Sequence, residues 1–238
     1  MAFALRTHEL TNAALPQALA QDIAERLEHA IAQRGQAVLM VSGGKSPIAM
    51  FEALRTCPLP WHKVTISLAD ERCVPNDHAD SNALLVRTHL LKDRAQAAQL
   101  VPLMEDQASL ASPSNLAAQA TTRLLALGAA DVLVLGMGTD GHTASLFPDA
   151  PNLPLAMDLG QSPACLHIDI PHPPPQAPYA RITQNLSMLL TARHIALPVS
   201  GADKLAVLER AKTCTTLALP VAKVLQQHHT PVALWLAP

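Results

Sequence analysis

Aromatic residues are scarce: two Trp, one Tyr and three Phe in 238 residues. That scarcity excludes a base-stacking surface, because Trp61 and Trp235 stand far apart with no basic, aromatic stretch between them. Charge is also sparse, at 15% of residues, and nearly balanced, with a net value of -2. Such a balance exerts no long-range pull toward nucleic acid or an anionic membrane, so neither is expected as a partner. Any phosphate site must then be a local cluster. No apolar run reaches membrane-spanning length. The four cysteines, Cys57, Cys73, Cys165 and Cys214, make no Cys-x-x-Cys pair. Met1 to Leu10 carries Arg6, His8 and Glu9 where a secretory leader would be apolar. Free thiols in a cytoplasmic protein are the expectation. Eleven histidines lack metal-type spacing, so no built-in zinc site is expected.

What the chain does have is alternation. An edge strand is predicted over Phe3 to His8, followed by a helix over Asn12 to Arg34. Asn12 is a candidate cap, Leu19, Ile23, Leu27 and Ile31 recur at helical spacing, and Gly35 stops the run. Ala37 to Val41 reads as a buried strand that feeds Ser42-Gly43-Gly44-Lys45-Ser46-Pro47. There Ser46 would cap a helix whose first residue is Pro47. Val64 to Ala69 is the next strand. Ser81 and its neighbours cap a helix to about Leu91, and Leu100 to Leu103 is a short strand. Ser114 to Leu127 is a helix closed by Gly128. Val132 to Leu135 is a strand with the apolar run of one buried on both faces, and Thr143 to Phe147 a short helix. Further on, Ser187 to Ala192, Gly201 to Ala211 and Val221 to Gln227 read as helices, and His194 to Val199 and Val232 to Leu236 as strands. Strands alternating with helices predict an α/β, Rossmann-like fold: a mostly parallel sheet flanked by helices on both faces, in a single domain over 1-238. Nine prolines crowd the 31 residues from Pro148 to Pro178. This excursion, 148-180, is expected to form a lid or rim, since proline suits no central strand outside Cys165 to Ile170.

Three polar turns follow predicted strands. Gly136-Met137-Gly138-Thr139-Asp140-Gly141-His142 places a carboxylate two residues from an imidazole. An imidazole can take a proton near neutral pH, and a carboxylate can fix its tautomer. The glycines formally fit a dinucleotide fingerprint. That reading fails because no acidic residue ends a following strand and Asp140 would repel a pyrophosphate. Ser42-Gly43-Gly44-Lys45 offers free N–H groups at a helix start, which bind anions. Asp70-Glu71-Arg72 puts three charges at a strand end, and Arg72 could clamp a phosphate or an oxyanion. Arg181 and Lys204 are later cations, each at the edge of an element.

Taken together these pieces resemble the 6-phosphogluconolactonase family. The resemblance rests on Ser42-Gly43-Gly44, Asp70-Glu71-Arg72 with Pro75 and Ser81-Asn82, Leu135 to Pro148, Arg181-Ile182-Thr183 and Gly201-x-x-Lys204. It runs in order over about residues 37 to 210, and the glycine-to-proline stretch is its most specific part. It implies a fold shared with glucosamine-6-phosphate deaminases. It also implies hydrolysis of 6-phosphogluconolactone in the oxidative pentose phosphate pathway, without a cofactor, by a monomer or weak homodimer. His142 would be the general base, oriented by Asp140. Ser42, Gly43, Gly44, Lys45, Asp70, Arg72, Gly138, Arg181 and Lys204 would hold the phosphate and the sugar lactone. Two alternatives share the fold: a sugar-phosphate isomerase or deaminase, and a non-catalytic sugar-phosphate sensor. Deaminases carry Asp-Glu-Tyr where this chain has Asp70-Glu71-Arg72. They carry Phe-Asn-Glu-Pro where it has Ser145-Leu146-Phe147-Pro148, so their ring-opening Glu is absent here. The chain departs from the family pattern at Lys45, which replaces a small hydroxyl residue, and at Gln184-Asn185, which replace Leu-Thr.

Overall fold

The computed structural model describes residues 5–105, 112–170 and 178–238. Strand β1 (Arg6–Glu9) lies at a sheet edge, as expected. Helix α1 (Leu15–Arg34) buries Leu19, Ile23 and Leu27 along one stripe, and Gly35 ends it in the left-handed region at φ 78°. Asn12 does not cap it: its amide instead donates to the carbonyl of Pro238, tying the two ends of the chain together. The first turn is held by Thr11, whose hydroxyl accepts from the Ala14 N–H.

Strand β2 (Ala37–Val41) is buried at every residue. Helix α2 (Ile48–Leu54) begins one residue later than expected, with Pro47 at its cap position and no side-chain cap from Ser46. Next come β3 (Val64–Leu68), β4 (Asp70–Arg72) and α3 (Asn82–His89), the last capped by Ser81, which accepts from the Leu84 N–H. β5 (Gln99–Leu100) and α4 (Pro113–Leu127) lead to β6 (Val132–Val134). α5 (Leu153–Ala156), β7 (Cys165–Ile168), β8 (Arg181–Gln184) and α6 (Leu186–Leu189) follow. The chain ends with β9 (Ile195–Ser200), α7 (Ala202–Thr213), α8 (Val221–Gln226) and β10 (Val232–Ala237).

Seven strands form one parallel sheet in the order β1-β10-β9-β6-β2-β3-β5. The chain builds outward from β2 to β3 and β5, then returns to β6 on the other side of β2. Strands β2 and β6 therefore flank the point where the winding reverses, and open α/β sheets place ligands outside the carboxyl ends of such strands. The turns carrying Ser42 and His142 leave the sheet at this point. A hydrogen bond from the Ser42 N–H to the Val134 carbonyl, at 2.9 Å, joins their bases.

Two expectations are corrected. Asp70–Arg72 is not a turn but the strand β4, and the first strand after the proline-rich segment, β8, pairs antiparallel with both β4 and β7 in a second sheet, ordered β4-β8-β7; the parallel sheet resumes with β9 and β10. Thr143 to Phe147 is not helical. Ala144 takes a left-handed φ of 47° and Thr143 bridges Leu146, which closes a tight turn no α-helix can continue. In the described part of the excursion, β7 makes an edge of the small sheet, in contact with α4, and no residue of 148–170 lines the cleft described below. The prolines at 171, 173, 174 and 175 lie outside the described residues. Both sheets contribute to one connected apolar core, from Leu39 and Val134 to Ile168 and Ile182. No helix among the described residues is long and apolar enough to cross a membrane.

Candidate active site

A cleft of about 330 Å³ opens at the carboxyl ends of β2 and β6. Its wall brings together Ser42, Gly43, Gly44, Asp70, Arg72, Gly138, His142, Arg181 and Lys204. Of the residues singled out from the sequence, Asp140 sits just behind this wall, bonded to His142. Lys45 is exposed on the turn and is not part of the wall.

The His142–Asp140 couple is made by the turn itself. Nδ1 of His142 lies 2.6 Å from Oδ1 of Asp140, and the same oxygen accepts the His142 backbone N–H at 3.1 Å. Burial works against ionising Asp140, but the hydrogen bond and the charge of His142 outweigh it and hold its carboxyl below the usual range. The ring of His142 rests on Phe147, with centroids 4.5 Å apart. With Nδ1 engaged by Asp140, Nε2 is the nitrogen left for chemistry in the cleft. The turn is closed by its own Gly138 N–H, which donates to the His142 carbonyl, and braced from outside by the Val221 N–H at the start of α8, which donates to the Gly141 carbonyl.

Gly138 is required by contact. A Cβ there would stand 2.3 Å from the His142 ring and 2.4 Å from Oδ1 of Asp140. Gly138→Ala is therefore expected to force both side chains apart. Activity should fall about tenfold to a hundredfold, because displacements of this size spoil the attack geometry. Steady-state kinetics, with a ¹H–¹⁵N spectrum to show that the remainder is unchanged, measures this.

The cations are placed by the small antiparallel sheet. Arg72 and Arg181 are directly opposite one another in the β4–β8 register. Like charges in that position repel, so an anion between them is favoured. Arg181 is 4% exposed. Burial, then the neighbouring Arg72, lowers its pKa, while Asp70, Glu71 and Asp80 pull it back up. Arg72 is fixed through Nη1, which donates to the Asp80 carbonyl at 2.9 Å and to Oδ1 of Asn82 at 2.6 Å. Its Nε is buried with no hydrogen-bond partner among the described residues. Lys204 reaches the cleft from the first turn of α7.

Two carboxylates near the cleft divide their work. Asp70 faces it and accepts from the Ser145 hydroxyl at 2.5 Å. Glu71 alternates to the other side of β4 and is fully buried. It accepts from the N–H groups of Arg72, Asn82 and Ala83 at 2.7–2.8 Å and from the Ser81 hydroxyl at 3.1 Å. Burial raises its pKa and those four donors oppose the rise. Glu71 is thus the anchor that fastens α3 to β4, helped by its place at a helix N-terminus.

Asn82, Ser145 and Phe147 line the cleft, although the sequence reading gave them no role there. Asn82 looked like part of a helix cap. Its amide in fact bridges Arg72 to the Asp70 carbonyl, and it packs so close that a Cβ on Gly43 would meet its Oδ1 at 1.8 Å. The available signal was its place in the Asp70–Asn82 motif. The family departures at Gln184-Asn185 lie behind the cleft. Gln184 donates to the Leu68 carbonyl, and Asn185 caps α6 through the Met188 N–H. Among the described residues, no group of three or more His, Cys, Asp or Glu side chains is placed to hold a metal ion.

Comparison with known proteins agrees with this geometry. The family described as "Glucosamine-6-phosphate isomerases/6-phosphogluconolactonase" matches residues 10–235. A 6-phosphogluconolactonase of Pseudomonas putida is 45% identical over 237 residues, covering 99% of this chain and 94% of that protein. One from Pseudomonas aeruginosa is 48% identical over 194 residues, covering 81% of this chain and 79% of that protein. The crystal structure of a 6-phosphogluconolactonase from Shewanella baltica superposes with a TM-score of 0.86 at 36% identity, covering all of both chains. With the family pattern spanning nearly the whole chain and the fold shared throughout, this chain belongs to the glucosamine-6-phosphate isomerase/6-phosphogluconolactonase family.

Proposed function

We propose that this chain hydrolyses 6-phospho-D-glucono-1,5-lactone to 6-phospho-D-gluconate, the lactone step of the oxidative pentose phosphate pathway. The observation that carries the reading is the His142–Asp140 couple, 2.6 Å apart, on the same cleft as Arg72, Arg181 and Lys204. The relatives of known name and the absence of the deaminase Glu from Ser145-Leu146-Phe147-Pro148 favour lactone hydrolysis over ring-opening isomerisation.

In this reading the backbone of Ser42, Gly43 and Gly44 and the three cations hold the 6-phosphate and orient the sugar. Fixing the lactone beside a bound water makes the attack effectively intramolecular. The water oxygen bonds to C1 as Nε2 of His142 removes its proton, and the carbonyl π pair moves onto oxygen. Asp140 holds the imidazolium so formed. A cation or a backbone N–H of the glycine turn faces the oxyanion. The tetrahedral carbon then collapses, the C1–ring oxygen bond breaks, and His142 returns the proton to the leaving ring oxygen. The new carboxylic acid ionises and releases a proton to solvent. Asp70, held by Ser145, is suited to a sugar hydroxyl.

The direct test supplies freshly generated lactone and follows acid release above the spontaneous rate. Ammonia release from glucosamine 6-phosphate is measured in parallel. Rapid acid release without ammonia supports the proposal; ammonia release without lactone hydrolysis overturns it. Arg72→Ala should lower kcat/KM about tenfold or more, the value of one charge-assisted contact to phosphate. A variant with unchanged KM and kcat would remove Arg72 from the site.

A further inference from the structure

The turn that carries His142 is seated on a segment outside the cleft. Loop 214–220, between α7 and α8, is largely exposed at its middle but ends in the buried pair Leu219 and Pro220. Leu219 lies directly against Gly141. A Cβ on Gly141 would stand 2.6 Å from Cδ2 of Leu219 and 3.1 Å from its Cα. Gly141 takes a left-handed φ of 79°, so the turn meets this contact with bare backbone. Two residues on, the Val221 N–H donates to the Gly141 carbonyl at 3.0 Å. That N–H stands at the first position of α8, where it has no acceptor within the helix.

The turn's own hydrogen bonds fix its shape but not its direction. Those from the Gly138 N–H to the His142 carbonyl, the Gly141 N–H to the Gly138 carbonyl and the Thr143 hydroxyl to the Gly136 carbonyl all stay within 136–143. Thr139 and Asp140 are exposed, whereas Gly141 is buried, and its neighbour across the contact is Leu219. The seat is itself held. Nε2 of Gln226, on α8, shares its two hydrogens among the carbonyls of Ala211, Lys212 and Cys214, at 3.1, 3.3 and 2.8 Å. This ties the end of α7 to α8. Helix α7 also carries Lys204 into the cleft. One two-helix unit thus presents a cation to the cleft and supports the His142 turn from behind.

We propose that Leu219 is a positioning residue for the reaction: by packing on Gly141 it sets the direction of the His142 ring into the cleft and keeps Nδ1 within bonding distance of Asp140. The proposed chemistry makes His142 the general base, and this role for Leu219 rests on that reading. Leu219 does not line the cleft, so its effect falls on turnover and not on substrate binding. Shortening it leaves a void beneath Gly141, into which the turn can settle. A misplacement of about 1 Å is enough to lower a rate about 10²-fold.

The test compares Leu219→Ala, in the full chain, with the parent, with Leu219→Met and with Leu225→Ala. Leu225 is also buried, but at the far end of α8. Lactone hydrolysis gives kcat and KM. The ¹⁵N shifts of the His142 ring, assigned through His142→Ala, show which nitrogen carries the proton without any substrate present. In Leu219→Ala, kcat should fall about tenfold to a hundredfold with KM little changed. The parent's protonated Nδ1 and bare Nε2 should give way to averaged shifts. Leu219→Met, of similar volume, should restore both readouts, and Leu225→Ala should change neither. Leu219→Val takes the place of the alanine variant if that one does not fold. An unchanged ring pattern overturns the proposal. So does an unchanged kcat, or an equal loss in Leu225→Ala, which would mark general loosening of the core. A parent that hydrolyses no lactone removes the functional reading instead, and the ring pattern then decides the positioning role by itself.

Discussion

Replacing His142 by alanine is expected to lower kcat by about 10²–10⁴-fold, the usual worth of a general base, with the fold intact. Both halves of that expectation follow from the geometry. Among the described residues the ring is the only imidazole lining the cleft at β2 and β6, and its Nε2 is the nitrogen not committed to Asp140. The side chain is 31% exposed and packs on Phe147 without anchoring the core, so its removal should cost little stability. Asp140→Asn tests the other half of the couple. An amide can donate where the carboxylate accepted, which selects the wrong tautomer and leaves no charge to balance the imidazolium. A loss of about tenfold or more with KM little changed is expected, because Asp140 works only through His142. A His142→Ala enzyme running near the wild-type rate would sink the assignment.

The largest stability effect is expected at Glu71. Truncation to alanine leaves three backbone N–H groups and the Ser81 hydroxyl without their acceptor, inside the protein. At about 1–3 kcal/mol for each unsatisfied donor, offset by water entering the space, the net loss should be about 3–5 kcal/mol. That is a large share of the roughly 5–15 kcal/mol that holds a typical domain folded. Urea denaturation gives the value directly. The same variant should also raise KM, because α3 carries Asn82 and Asn82 fixes Arg72. A Glu71→Ala protein within about 0.5 kcal/mol of the parent would show that the anchor is not needed.

The parallel sheet and its turns were readable because each rests on a local signal. Branched apolar runs gave β2, β3, β6, β9 and β10, and the glycine-rich turns after β2 and β6 gave the position of the cleft. The His142–Asp140 couple was readable because both partners lie on one turn. The cation pair was readable only as separate charges. Nothing local in Asp70-Glu71-Arg72 signals a strand, since its partner β8 lies far along the chain and pairing supplies what propensity lacks. For the same reason Glu71 looked like a third surface charge. Alternation along β4 sends Asp70 and Arg72 one way and Glu71 the other, and that alternation is invisible until the strand is known. The turn after His142 misled because its residues suit a helix, while tertiary bonds from Ser145 to Asp70 and Thr183 dictate otherwise.

The pairing of β4 with β8 also sets an order of events during folding. The strand bearing Arg72 and the strand bearing Arg181 are separated by the whole of α3, β5, α4, β6, α5 and β7. Contacts of such long sequence separation close late, after the entropy of the intervening loop has been overcome. The nascent chain can thus complete β2, β3 and β6 and still lack the facing pair of Arg72 and Arg181. Binding competence arrives as a final step, so regain of activity after dilution from denaturant should trail the recovery of helical signal.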